Sequence, residues 1–256
     1  MPEPMPKPTP KARPIQHYFM FSDLRSVPIN EAFEIIGPEA HHAARVKRIR
    51  TNEQVGILDG QGHIAGGFVR SITGSKSKPT IMIELSSIEY FDPPTPRIEV
   101  WSALPKGDRL ERMIDQLSQI GVCTFRPLLC DRSQRKPETV RMDKLERIAL
   151  ESAKQCRRPW TIEFAEPISF ADALKEPDVM LADASGTQIV QETSRQRVVL
   201  LIGPEGGWSD GERDLIVATS VPVCRFGLFV LRIEAAACAA SAILLASAPP
   251  ATGTTL

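Results

Sequence analysis

The sequence predicts an α/β protein in two parts: a small N-terminal β domain, then a larger domain built on a parallel sheet. Three observations predict it. Between His17 and Glu89 the apolar runs are short and divided by turn-forming residues. Asp92-Pro93-Pro94-Thr95-Pro96 then sets three prolines within five residues, which stops regular structure and marks a domain boundary. Beyond it, apolar runs of strand length alternate with stretches of helical period, the pattern of strand–helix units on a parallel sheet.

Taken in order, residues 1–14 carry a proline at nearly every second position, as in a solvated, extended tail. The β domain is expected over 15–91. Its apolar runs lie at 33–36, 54–58, 67–69 and 81–85, its turns at Asp59-Gly60-Gln61-Gly62 and Thr73-Gly74-Ser75, and one helix crosses 38–48. A linker follows at 92–97 and the α/β domain at 98–250, leaving 251–256 as a tail. Its strands are expected at 98–104, 125–130, 179–182, 198–202 and 221–226, and its helices at 108–120, 142–157, 210–219 and 234–248. In the first of these helices Leu110, Met113, Ile114, Leu117 and Ile120 share one face, and Gly121 stands where a helix C-terminus favours glycine. The continuous apolar runs at 179–182 and 198–202 fit strands covered on both faces.

Formal net charge is zero, so no global basic field draws the chain to nucleic acid, and any such binding must come from local cationic surfaces. The five cysteines are odd in number and include no C-x-x-C pair, which favours free thiols in a reducing cytosol over disulfides or a zinc site. His17, His41, His42 and His63 lack ligand spacing, so no metal is expected. The N-terminus lacks the apolar core of a signal peptide, and the alanine-rich end falls short of the roughly 20 apolar residues of a bilayer span. The expectation is a cytoplasmic protein without a membrane partner.

Ligands of open parallel sheets bind beyond the carboxyl ends of the strands, and two loops fit that place. One reads Leu201-Ile202-Gly203-Pro204-Glu205-Gly206-Gly207-Trp208-Ser209, with Ser209 and Glu212 forming a capping box for the next helix. Its glycines permit a close backbone approach to a ligand, although an isolated Gly-Gly pair serves a tight turn equally well. The other runs Phe226-Gly227-Leu228-Phe229-Val230-Leu231-Arg232-Ile233-Glu234, an apolar loop that can wrap a flat ring and ends in two charges. Arg232 and Glu234 could face a reactive centre or pair with each other at the start of the helix.

Together these loops resemble the RsmE family, RNA methyltransferases of the small ribosomal subunit. The segments around His41-His42-Ala43-Ala44-Arg45, Leu104-Pro105-Lys106-Gly107-Asp108-Arg109 and Glu151-Ser152-Ala153-Lys154-Gln155 resemble that family in the same order. The resemblance implies a PUA-like β-barrel followed by a knotted SPOUT-type α/β domain. It also implies a homodimer, S-adenosyl-L-methionine (SAM) as cofactor, and methylation of a uridine N3 in 16S ribosomal RNA. It places the cofactor against Leu201, Ile202, Gly203, Pro204, Glu205, Gly206, Gly207, Phe226, Gly227, Leu228, Val230 and Leu231. Arg232 and Glu234 are the implied catalytic residues. RNA contact is expected at Arg45, Lys47, Arg48, Arg50, Arg132, Gln155 and Arg158. The chain departs from the family at Phe229, usually arginine, and at Ile233 and Ala235, usually threonines. A diverged RNA-binding assembly factor of the same fold is the alternative reading.

Overall fold

The computed structural model describes residues 15–188, 195–246 and 253–255. The expected tail at 1–14 therefore lies outside the described residues.

In the first domain, period-two burial sets the strands. Along β5 (Pro79–Phe91), Ile81, Ile83 and Leu85 are buried while Thr80, Met82 and Glu84 between them are partly exposed. β5 forms a long hairpin with β4 (His63–Gly74), which pairs in turn with β3 (Gln54–Leu58). β1 (Tyr18–Met20) joins β3 in parallel, and β2 (Ala32–Ile35) joins the far side of β5. Register shifts at Gly66/Gly67 and Val69/Ser71 bend the hairpin around a core of Phe19, Val55, Ile57, Val69 and Ile81. The expected helix runs as α1 (Gly37–His42) and continues as a π-helical turn to Lys47. Arg48 then ends it in the left-handed conformation at φ 53°.

The second domain is a parallel sheet with helices on both faces. Its strands are β6 (Arg97–Ser102), β7 (Thr124–Leu129), β8 (Glu163–Phe164), β10 (Val179–Gln188), β11 (Arg197–Ile202) and β12 (Val223–Arg225). They lie in the order β12-β10-β11-β6-β7-β8, and the short β9 (Ile168–Ser169) also pairs with β7. One face carries α2 (Arg109–Ile120), α3 (Met142–Cys156) and α6 (Ile233–Leu245); the other carries α4 (Phe170–Ala173) and α5 (Asp210–Thr219). Alternation along β11 decides which side chain meets which layer. Val198, Leu200 and Ile202 face α2 and α6, while Val199 and Leu201 face the layer of Phe170 and Trp208. Leu110, Met113, Ile114 and Leu117 of α2 are buried as their spacing predicts, and Gly121 ends the helix at φ 112°.

Three parts depart from expectation. β8, β9 and α4 occupy a stretch for which the sequence predicts no element. β10 runs six residues past the expected strand end at 182, with an irregularity between Ala182 and Thr187. Within the expected C-terminal tail, β13 (Gly253–Thr255) pairs antiparallel with the end of β5, adding an edge to the first sheet.

The domains meet along 154–161. Lys154, buried, pairs with Glu39 of α1 at 2.5 Å and with Glu151 at 2.7 Å. The turn at 59–62 docks here: the Gly62 amide donates to the Pro159 carbonyl at 3.0 Å, and the Trp160 indole donates to the Phe91 carbonyl at 2.9 Å. Gly62 sits at φ 106° with the rings of Trp160 and Tyr90 where a Cβ would stand, so this position requires glycine.

Candidate active site

The carboxyl ends of β11 and β12 and the bend in β10, which lies between them in the sheet, open onto one cavity of about 320 Å³, within the range of small-molecule sites. β11 delivers Ile202, Gly203, Pro204, Glu205 and Gly207; the loop after β12 delivers Phe226, Gly227, Val230 and Leu231. The two loops singled out in the sequence thus form facing walls. The third wall, Ala182, Asp183 and Ala184 at the bend in β10, was not anticipated, nor were Arg213 and Arg225 beside it.

Local chemistry fixes the glycine turn. The Gly207 amide donates to the Pro204 carbonyl at 2.9 Å, and Gly207 takes φ +67°. Below the turn lies Trp208, with its ring 2.8 Å from where a Cβ on Gly203 would stand, so glycine is what lets strand and indole pack together. Ser209 caps α5: its hydroxyl accepts from the Glu212 amide at 3.2 Å, and the Glu212 carboxylate accepts from the Ser209 amide at 2.7 Å. Glu212 is buried and also accepts from the Asp131 amide at 2.9 Å, tying the turn to the loop after β7.

Several expected ligand contacts take other roles. Leu201 is fully buried on the opposite sheet face because successive strand residues alternate sides. Gly206 does not line the cavity and packs on the side chain of Arg132 instead. Leu228 does not line the cavity either. With Phe229 and Val230 it forms an apolar ridge, at 80%, 82% and 85% exposure, and only the latter two reach the cavity mouth.

The charged pair divides. Glu234, in the first turn of α6, does not pair with Arg232 but lies 3.7 Å from the guanidinium of Arg109, which also holds Glu205 at 3.0 Å. Its Oε2 is buried and has no hydrogen-bond partner among the described residues. Arg232 is exposed at the N-cap of α6. Arg109 escaped the sequence reading because its partners lie far along the chain; the run 105–109 was the available signal.

The expected RNA-contact residues also separate. Arg45, Arg48 and Arg50 are exposed around the π-helical turn, with Lys47 half-buried between them. Gln155 is exposed on α3. Arg132 is exposed too, yet its guanidinium donates to the carbonyls of Gly206 and Trp208 at 3.1 and 3.2 Å, bracing the glycine turn. Arg158 turns inward and donates to the carbonyls of Ser118 and Val122 at 2.9 and 2.7 Å, and burial pushes its pKa down. The left-handed Arg157 ends α3 and redirects the chain before Arg158, so helical spacing misplaced it. Among the described residues no cluster suits a metal ion, and no helix is long and apolar enough to cross a membrane.

The profile of the RNA methyltransferase domain matches residues 92–245 of this chain, which include every wall of the cavity. The chain belongs to the RNA methyltransferase family. The PUA domain of RNA methyltransferases matches residues 35–78, within the bent β-sheet. Relatives named ribosomal RNA small subunit methyltransferase E include one from Bacillus subtilis, 28% identical over 87% of this chain and 93% of its own length. Another, from Synechocystis, is 28% identical over 76% of this chain and 66% of the relative's length. The RsmE resemblance read from the motifs is thereby borne out. Among solved structures, a chain from Legionella pneumophila with bound SAM superposes at TM-score 0.75, with 24% identity and 92% and 98% coverage of the two chains. The Neisseria gonorrhoeae ribosomal RNA small subunit methyltransferase E bound to SAM superposes at 0.73, with 18% identity and 88% and 94% coverage. These two share the fold of this RNA methyltransferase.

Proposed function

We propose that this chain is a SAM-dependent methyltransferase that modifies N3 of a uridine in 16S ribosomal RNA, working in the cytoplasm as a homodimer. The observation that carries the reading is the cavity between the glycine turn after β11 and the apolar loop after β12, closed by the bend in β10.

The lining suits SAM. Apolar Ile202, Phe226, Val230 and Leu231 offer a surface for a purine. When bound, SAM supplies a methyl group activated on a sulfonium. The protein's task is then to align the base, accept its proton and offset charge on its oxygens. Glu234 is the proton acceptor, because an unpartnered buried oxygen gains most from a new donor. Arg232 is the cation for the uracil oxygens, since its exposed side chain stands two residues away. Arg45, Lys47, Arg48 and Arg50 contact phosphates from the first domain. A second copy of the chain covers the apolar ridge 228–230, which a solitary subunit would leave in water.

The test combines small-subunit RNA from a strain lacking this gene product with the purified protein and labelled SAM, followed by nucleoside mass spectrometry. The expected product is 3-methyluridine. RNA binding without methyl transfer, and without heat on titration of S-adenosylhomocysteine, would instead identify a non-catalytic assembly factor. Arg232→Ala should abolish transfer while leaving that heat intact; unchanged turnover would remove Arg232 from the mechanism.

A further inference from the structure

One guanidinium joins three segments of the site. Arg109, the first residue of α2, donates from Nε to the Lys106 carbonyl at 3.2 Å. Its Nη2 lies 3.0 Å from Glu205 in the glycine turn, and its Nη1 lies 3.7 Å from Glu234 Oε2 in the first turn of α6. Arg135 fixes the loop behind it, with Nη1 at 3.3 Å from the carbonyls of both Pro105 and Gly107.

The two carboxylate contacts differ in kind. The one to Glu205 is a short ion pair, whereas 3.7 Å to Glu234 is beyond a good hydrogen bond yet within strong Coulombic range. Attraction therefore holds Glu234 in place without filling its lone pair, and Oε2 stays unpartnered and buried. A planar fork that is always charged can serve both acids from one position; a lysine's single ammonium cannot span them with the same geometry.

We infer that Arg109 is a positioning residue for Glu234: anchored on Glu205 and the 105–107 loop, it fixes the orientation of the Glu234 carboxylate while leaving Oε2 without a hydrogen bond. This rests on the reading of Glu234 as proton acceptor.

The test compares Arg109→Lys, Arg109→Gln, Glu234→Gln and the Arg109→Lys/Glu234→Gln double variant of the full chain. Each is measured for kcat and KM with small-subunit RNA, for S-adenosylhomocysteine binding and for melting temperature. Both Arg109 variants should lose kcat by roughly 10- to 100-fold, the scale set by misplacing a reacting group. KM should stay close to that of the parent protein in both, and Arg109→Lys, which keeps a cation between the two acids, should also keep the melting temperature, a split that a merely structural bridge would not give. The double variant should be no slower than Glu234→Gln alone, because the two residues act as one unit. Parental kcat in both Arg109 variants, or losses that multiply in the double variant, would overturn the inference. Parental kcat in Glu234→Gln would instead overturn the proton-acceptor reading, whatever the Arg109 variants do.

Discussion

At the scale of single residues, close packing and burial make the sharpest predictions. A methyl group at Gly203 would meet the indole of the buried Trp208 at 2.8 Å, and an aromatic ring wedged in a core cannot swing aside. Gly203→Ala should cost about 1–3 kcal/mol, the usual range for overpacking. Denaturant midpoints check this, and calorimetry should find weaker S-adenosylhomocysteine binding as the turn shifts. Cys130 offers a test against pH. Burial pushes its thiol up to about 12, while an unfolded thiol ionises near 8.5. On raising the pH the unfolded chain thus releases its proton first, so this contribution is intact below about pH 8.5 and disappears towards pH 12. Stability relative to Cys130→Ala should decline across that window. A flat difference would place the thiol in contact with water.

Elements were legible where periodicity had room to act. The stripe Leu110, Met113, Ile114 and Leu117 spans about two turns of α2, and the strand and helix either side of the glycine turn carry both an apolar run and a capping box. Two-residue strands such as β8 and β9 have no room for a period, and β1 buries only Phe19, so composition gave no sign of them. The site divides in the same way. Its glycines and apolar loop stand together in the chain, whereas Arg109 joins Glu205 and Glu234 across long sequence separations, and Asp183 lies within β10, just past its apolar run, without any marker. Capping energy is local to α5. Ser209→Ala removes the acceptor for the Glu212 amide and the 2.5 Å donor to Asp131, and should cost about 1 kcal/mol in chemical denaturation. A loss well below that would show that Glu212 alone holds the turn.

Across the whole molecule, the bent sheet and the parallel sheet are coupled through Lys154, which lies buried between Glu39 and Glu151. Lys154→Ala would leave both carboxylates without their cation. Because both acids retain contact with water, the expected cost is about 2 kcal/mol, below that of a fully buried pair. Calorimetry should then separate one unfolding transition into two; a single unshifted transition would mean that the docked turn at 59–62 suffices. The placement of the cavity walls has a further consequence, for the order in which the protein is made. Every wall comes from residue 182 onward, and the last is α6, whose Ile233 and Ala236 line the cavity. A nascent chain arrested before Phe226 would hold the basic turn of the first domain and every strand of the parallel sheet, but no complete pocket. During synthesis, the cationic turn of the first domain therefore exists before the cavity is closed.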